Sequence, residues 1–222
     1  MEYRAAIFDM DGTLINSLED LADSANEALE HYGFPTHTLD KYRYFVGNGA
    51  RKLIERILPS ERAKDSAFVD EILTCYNNCY EGHLTIKTKP YDGIMEMLNA
   101  LQAKNIPLGI CTNKQQFAAD YITKELFPAK MFGAVMGDQK GLPRKPNPEK
   151  VLKIAAQFKV SPKEVAYLGD TSVDMETAHN AGFLSIGVTW GFRPESELIA
   201  SGAEIIINNP AELLAKVDFA NL

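Results

Sequence analysis

Apolar and polar positions along the chain change rhythm twice. It opens on a short run, Tyr3-Arg4-Ala5-Ala6-Ile7-Phe8, that reads as a buried strand. From Leu18 the pattern turns helical, with Leu21, Ala22, Ala25, Ala28 and Leu29 following at helical spacing. Ser17 is placed to cap this helix, and Asp20 is favourable near its N-terminus. Gly33 and Pro35 stop it. A second helix is predicted after Gly47-Asn48-Gly49, running to Leu58-Pro59, and a third over about Ser66 to His83. No convincing strand lies between Asn16 and about Thr88, so this stretch reads as a helical insertion.

From Pro90 helices and strands alternate. Helices are predicted at Ile94 to Lys104, Gln115 to Leu126, Pro148 to Phe158 and Asp174 to Ala181. Between them fall apolar strands at Pro107 to Cys111, Ala134 to Met136, Val165 to Leu168, Leu184 to Val188 and Glu204 to Ile207. Such alternation implies an α/β fold, a parallel sheet with helices on both faces.

Composition narrows the function classes. The 222 residues, 45% of them hydrophobic, suffice for one sizeable domain with an insertion. A net charge of −7 disfavours nonspecific nucleic-acid binding. No apolar stretch can span a bilayer and no signal-peptide pattern opens the chain, so a cytoplasmic protein without a membrane partner is expected. Cys75, Cys79 and Cys111 read as reduced packing thiols, and the four histidines show no ligand spacing.

Candidate chemistry gathers where strands end. Asp9-Met10-Asp11-Gly12-Thr13 directly follows the first strand and delivers two carboxylates and a hydroxyl. A calcium loop of the helix-loop-helix type needs Gly at its sixth position and Glu at its twelfth. Here Gly12 comes fourth and Asp20 occupies the twelfth place. Thr112-Asn113 ends a second strand, Gly169-Asp170 with Asp174 ends a third, and Lys145 precedes a proline-punctuated helix start. Each has a plainer alternative: a helix cap for Thr112-Asn113, a solvated charge for Lys145, an N-cap and an exposed acid for Asp170 and Asp174. Ligands of open parallel sheets bind at the carboxyl ends of strands. Carboxylates, a hydroxyl and a lysine at one such rim suit magnesium and a phosphoryl group.

The set Asp9-x-Asp11-Gly12-Thr13, Thr112-Asn113, Lys145-Pro146 and Gly169-Asp170-x-x-x-Asp174 resembles the four motifs of the haloacid dehalogenase-like hydrolases. Phe45-Val46-Gly47-Asn48-Gly49-Ala50 and Val188-Thr189-Trp190-Gly191 resemble the phosphoglycolate phosphatase branch. The resemblance implies a Rossmann-like three-layer core from residues 1-15 and 89-222, with residues 16-88 forming a helical cap. It implies a magnesium-dependent phosphomonoester hydrolase acting on a small phosphorylated substrate. Asp9 would attack phosphorus, and Asp11 would serve as acid and base. Mg2+ would bind the Asp9 carboxylate, the Asp11 carbonyl and Asp170, with Asp174 helping directly or through water. Thr112 and the Asn113 amide would hold phosphoryl oxygens, Thr13 would assist in binding, and Lys145 would neutralise charge.

In the insertion, Gly47-Asn48-Gly49 leads into a helix start that favours an anion, and Arg51 could pair with a substrate carboxylate. The alternative is a shaped turn and a solvated arginine. Within the resemblance, Asp11 argues against a dehalogenase, which needs no proton donor there. The absence of histidine between Ser17 and Ala28 argues against a sugar phosphomutase. Lys41 and Lys52 stand where a phosphonate hydrolase would need a Schiff-base lysine, and both read better as solvated. Pyrophosphate, sugar phosphates and nucleotide monophosphates stay open as substrates, as does a non-catalytic magnesium-binding module.

Overall fold

A computed structural model describes residues 2–220. Six parallel strands form one sheet: β1 (Ala5–Phe8), β4 (Leu108–Gln115), β5 (Ala134–Asp138), β6 (Val165–Gly169), β7 (Leu184–Val188) and β8 (Ile205–Ile207). Their order across the sheet is β5-β4-β1-β6-β7-β8. β1 is therefore central, and the chain builds outward from it to β4 and β5 before returning to β6 on its other side. This reversal is the switch point at which open α/β sheets bind ligands. Helices α6 (Ile94–Ala103), α7 (Gln116–Leu126), α8 (Glu149–Gln157), α9 (Ser172–Ala181), α10 (Glu195–Ala200) and α11 (Leu213–Lys216) accompany the strands. The result is the Rossmann-like α/β arrangement that the strand–helix alternation implies.

Successive residues of β1 serve opposite faces, as a pleated strand requires. Ala6 and Phe8 join the larger apolar cluster, which continues into the helical insertion. Ala5 and Ile7 join a smaller one with Val151 and Ile154 of α8 and Ala178 and Ala181 of α9. Burial on both faces explains why these strands read as unbroken apolar runs.

The insertion comprises α1 (Leu18–His31), α2 (Leu39–Phe45), α3 (Ala50–Ile57), α4 (Ser60–Ala63) and α5 (Ser66–His83). It leaves and rejoins the sheet layer through two short antiparallel strands, β2 (Ile15–Asn16) and β3 (Lys89–Pro90). These pairs are too short to give a periodic signal, as are α2, α4, α10 and α11.

Two residues near the crossing act differently from the sequence expectation. Ser17 makes no side-chain cap to α1; its hydroxyl donates to Asp11 Oδ1 at 2.5 Å. Asp20, 1% exposed, accepts from Lys87 N at 2.9 Å, Thr88 N at 2.7 Å and Thr88 Oγ1 at 2.6 Å. It pins the returning chain to α1 rather than serving the helix start alone. Asp20→Ala would strand these buried donors, so we expect a loss of about 2–4 kcal/mol in urea unfolding. A loss below about 1 kcal/mol would show that the crossing holds without them.

Candidate active site

The four expected motifs converge at the carboxyl ends of β1, β4 and β6. After Phe8 the chain makes a tight loop in which the amides of Thr13, Leu14 and Ile15 all point to the Met10 carbonyl. Gly12 sits at φ 81°, and a Cβ there would collide with the Asp170 carboxylate. The glycine thus lets the first motif touch the fourth. Asp9 and Asp11 both line a cleft of about 560 Å³, partly open to solvent, together with Thr112, Asn113 and Lys114.

β4 carries its polar residues inside the strand, with a register shift against β5 between Cys111 and Gln115. The Thr112 hydroxyl accepts from Lys114 N at 3.1 Å. The Asn113 side chain clamps the Lys145 main chain, accepting from its N at 2.9 Å and donating to its carbonyl at 3.2 Å. The same amide donates to the Gly47 carbonyl at 3.3 Å, so Asn113 joins the lysine loop to the helical insertion.

Lys145 lies buried between two acids. Its Nζ is 2.8 Å from Asp9 Oδ1 and 2.6 Å from Asp174 Oδ1, with the Tyr167 hydroxyl at 3.1 Å. Asp174 has both oxygens engaged, Oδ1 by Lys145 and Oδ2 by the Thr171 amide and hydroxyl. Asp170 accepts from Phe192 N at 2.8 Å and from Thr13 Oγ1 at 3.2 Å. Thr13 therefore supports Asp170 and is absent from the cleft lining.

Carboxylate oxygens of Asp9, Asp170 and Asp174 all lie within 4.8 Å of one another. Burial first, then repulsion from Asp174, pushes Asp9 up to about 7 against the pull of Lys145. Burial, followed by Asp174 and Asp9, holds Asp170 well above the carboxylate range. Burial alone would lower Lys145, but Asp174 and Asp9 outweigh it and raise it, keeping it charged. One ammonium does not balance three buried acids. Asp9 Oδ1, although close to Lys145, is off line for a directed hydrogen bond and finds no other partner. A hard divalent cation among these oxygens fits both the charge deficit and the unengaged oxygen. The Asp11 carboxylate stands apart from this cluster and meets Ser17 and Lys114 instead.

The insertion loop reaches the same rim. Gly47 and Gly49 have φ of 106° and 85°, and both line the cleft. A Cβ on Gly49 would press on Arg144 and the Asn113 carbonyl at 3.3–3.4 Å. Arg193 Nη2 donates to the Val46 carbonyl at 3.1 Å, and from the insertion Arg43 Nη1 donates to the Gly191 carbonyl at 3.4 Å, so each side grips the other. The loop does not bring all its predicted residues to the cleft. Asn48 accepts from Arg56 at 2.7 Å. Arg51 pairs with Asp70 of α5 and, at 3.4 Å, with Glu55. Neither borders the cleft.

The haloacid dehalogenase-like hydrolase family model matches residues 6–188. The chain belongs to the haloacid dehalogenase-like hydrolases. Phosphoglycolate phosphatase of Chromobacterium violaceum is 31% identical over 212 residues, covering 95% of this chain and 94% of that protein. N-acetylmuramic acid 6-phosphate phosphatase of Pseudomonas aeruginosa is 29% identical, covering 99% and 97%. A solved structure from Lactobacillus delbrueckii subsp. bulgaricus superposes with TM-score 0.89 at 30% identity, covering 96% of this chain and 97% of that one. The chain is thus a phosphatase of this family, on the branch that resembles phosphoglycolate phosphatase. No described helix is long and apolar enough to cross a membrane.

Two lysines of this hydrolase site escaped the sequence analysis as functional groups. Lys114 lies 3.0 Å from Asp11 Oδ1 and donates to the Tyr80 hydroxyl, which α5 supplies. Its signal was its place in the polar run Thr112-Asn113-Lys114. Lys150, fully buried, donates to the carbonyls of Thr112 at 2.8 Å and Gly137 at 3.2 Å, holding β4 at its shift. Its signal was its phase on α8, four residues before buried Ile154.

The raised Asp9 gives a signed pH effect. A carboxyl whose folded value exceeds its unfolded one stabilises the fold below the unfolded value and loses that contribution as pH rises through the folded one. In chelator, Asp9→Asn should therefore gain stability relative to the parent between about pH 4 and pH 7, by a few kcal/mol at most. Thermal melts of both proteins across that window test it. A constant difference in melting temperature would refute the raised carboxyl.

Proposed function

We propose that the chain is a magnesium-dependent phosphomonoesterase that works through an aspartyl-phosphate and acts on phosphoglycolate. The observation that carries this reading is the pairing of Asp9, buried beside Lys145, with Asp11, held apart on Ser17 and Lys114. Two acids in such different surroundings can divide the work. Asp9 attacks phosphorus, forming its own bond to phosphorus as the ester P–O bond breaks. Asp11 gives a proton to the leaving oxygen, then takes one from the water that opens the acyl-phosphate. Ser17 and Lys114 both hold Oδ1, which leaves Oδ2 for the proton.

Asp9, Asp170 and the Asp11 carbonyl would hold Mg2+, which supplies electrostatic relief between the nucleophile and an anionic phosphoryl group. Asp174, with both oxygens engaged, serves chiefly to hold Lys145. Lys145 and Thr112, with the Asn113 amide, bind phosphoryl oxygens. Residues 16-88 act as the cap, and Gly47 and Gly49 let its loop close on the rim without a side chain in the way.

Phosphoglycolate is supported by the relatives of that name and by a partly enclosed cleft that suits a small ester. The Pseudomonas relative favours a sugar phosphate as a second reading. A substrate screen that ranks other small esters above phosphoglycolate would transfer the assignment to them.

Asp9→Asn should reduce turnover to background with the fold intact, and chelator should do the same reversibly. Robust activity in either case would overturn the mechanism. Asp170→Ala should raise the Mg2+ concentration needed for half-maximal activity more than tenfold, while Asp174→Ala should chiefly lower kcat. An equal rise in metal requirement for both would place Asp174 on the metal.

A further inference from the structure

Lys114 stands apart from the phosphoryl-handling groups. Its side chain is 3% exposed yet borders the cleft beside Asp9 and Asp11. It is the only cationic residue lining that cleft among the described residues; the side chains that the insertion adds to the wall are chiefly Leu21, Val46, Leu53, Tyr76 and Tyr80. The Lys114 ammonium is 3.0 Å from Asp11 Oδ1, donates to the Tyr80 hydroxyl and lies 4.7 Å from the Tyr80 ring centroid. An ammonium carries three donors, so at least one is left for a ligand.

Its position fixes which part of a substrate it meets. A proton donor must come within about 3 Å of the oxygen it protonates. If Asp11 serves the leaving oxygen, the first carbons of the leaving group lie beside the Asp11 carboxyl. Lys114, in contact with that carboxyl, then faces the leaving group, while Lys145 faces the nucleophile from the other side. With Asp11 and Tyr80 taking two of its donors, the enclosed ammonium has one left to give a substrate carboxylate, a charge-assisted bond that a methyl group in the same place cannot accept. Arg51, the cation expected from the sequence to meet a substrate carboxylate, is occupied by Asp70 and Glu55.

We infer that Lys114 is the specificity-determining residue of this phosphatase, recognising a carboxylate carried one or two carbons from the ester oxygen, with Tyr80 of the helical insertion holding the ammonium in place. The inference rests on the reading of Asp11 as the proton donor and extends it to the leaving group.

The test compares phosphoglycolate with ethyl phosphate, in which a methyl group replaces the carboxylate. Both esters are measured on the parent and on Lys114→Met, with Lys114→Gln as a second variant should the first fail to fold. Each loses an ion-pair partner of Asp11, so both substrates should slow. In the phosphoglycolate to ethyl phosphate ratio of kcat/KM that shared loss cancels, and the ratio should drop at least about a hundredfold. Product inhibition by glycolate should weaken at least tenfold while inhibition by inorganic phosphate changes far less. An equal fall for the two esters, with glycolate inhibition retained, would make Lys114 a counter-ion of Asp11 only and overturn the inference, leaving the phosphoglycolate assignment intact. A parent enzyme with no preference for phosphoglycolate over ethyl phosphate would overturn both, and that result appears before any substitution is made.

Discussion

Carboxylates buried within a few ångströms of one another cannot all stay ionised unless positive charge is buried with them. At this strand rim the resident positive charge is Lys145, between Asp9 and Asp174. Much of the surrounding structure exists to keep that ammonium still. Asn113 clamps its main chain in both directions, the Tyr167 hydroxyl meets its nitrogen, and Asn180 holds the next carbonyl, that of Pro146, at 3.0 Å. Thr171 takes the far oxygen of Asp174, so the near one stays aimed at the lysine. The charge deficit left over, with Asp9 and Asp170 both raised, is one that a cation among these oxygens would offset.

The core of this arrangement was legible because parallel strands buried on both faces are conspicuous in a sequence. Polar residues at their carboxyl ends break unbroken apolar runs, so Asp9, Thr112 and Asp170 announce themselves. What the sequence hides are contacts decided by distant neighbours. Ser17 has the identity and position of a helix cap, but Asp11 competes for its hydroxyl and wins. Arg51 looks free until α5 brings Asp70 beside it. Thr13 belongs to the first motif, yet its hydroxyl is turned to Asp170, 157 residues away. Lys114 and Lys150 are lysines in a chain rich in surface lysines, and only the fold reveals which are enclosed.

The cleft is assembled from two sides that are remote in sequence. Asn113 and Arg193 tie the Gly47 loop to the strand rim through its own main-chain carbonyls, those of Gly47 and Val46. Main-chain acceptors impose no side-chain identity, so the loop's closure depends on its shape, which the two left-handed glycines set. Tyr80 adds a side-chain tie of its own, its hydroxyl accepting from Lys114 of the strand rim.

The strand order has a consequence for how the protein comes into being. β1 precedes the other described strands and lies inside the sheet, yet its partners β4 and β6 begin only at Leu108 and Val165. A ribosome releases the five helices of the insertion before either partner exists, and α1 can already pack on α5. This strand, apolar on both faces, waits with neither edge paired until β4 follows at Leu108–Gln115, and its second edge waits for β6. Its brevity, four residues closed off by Asp9 and Asp11, limits what it can stick to in that interval. The acids that close the strand at the cleft thus also keep its carboxyl end polar while the sheet is incomplete.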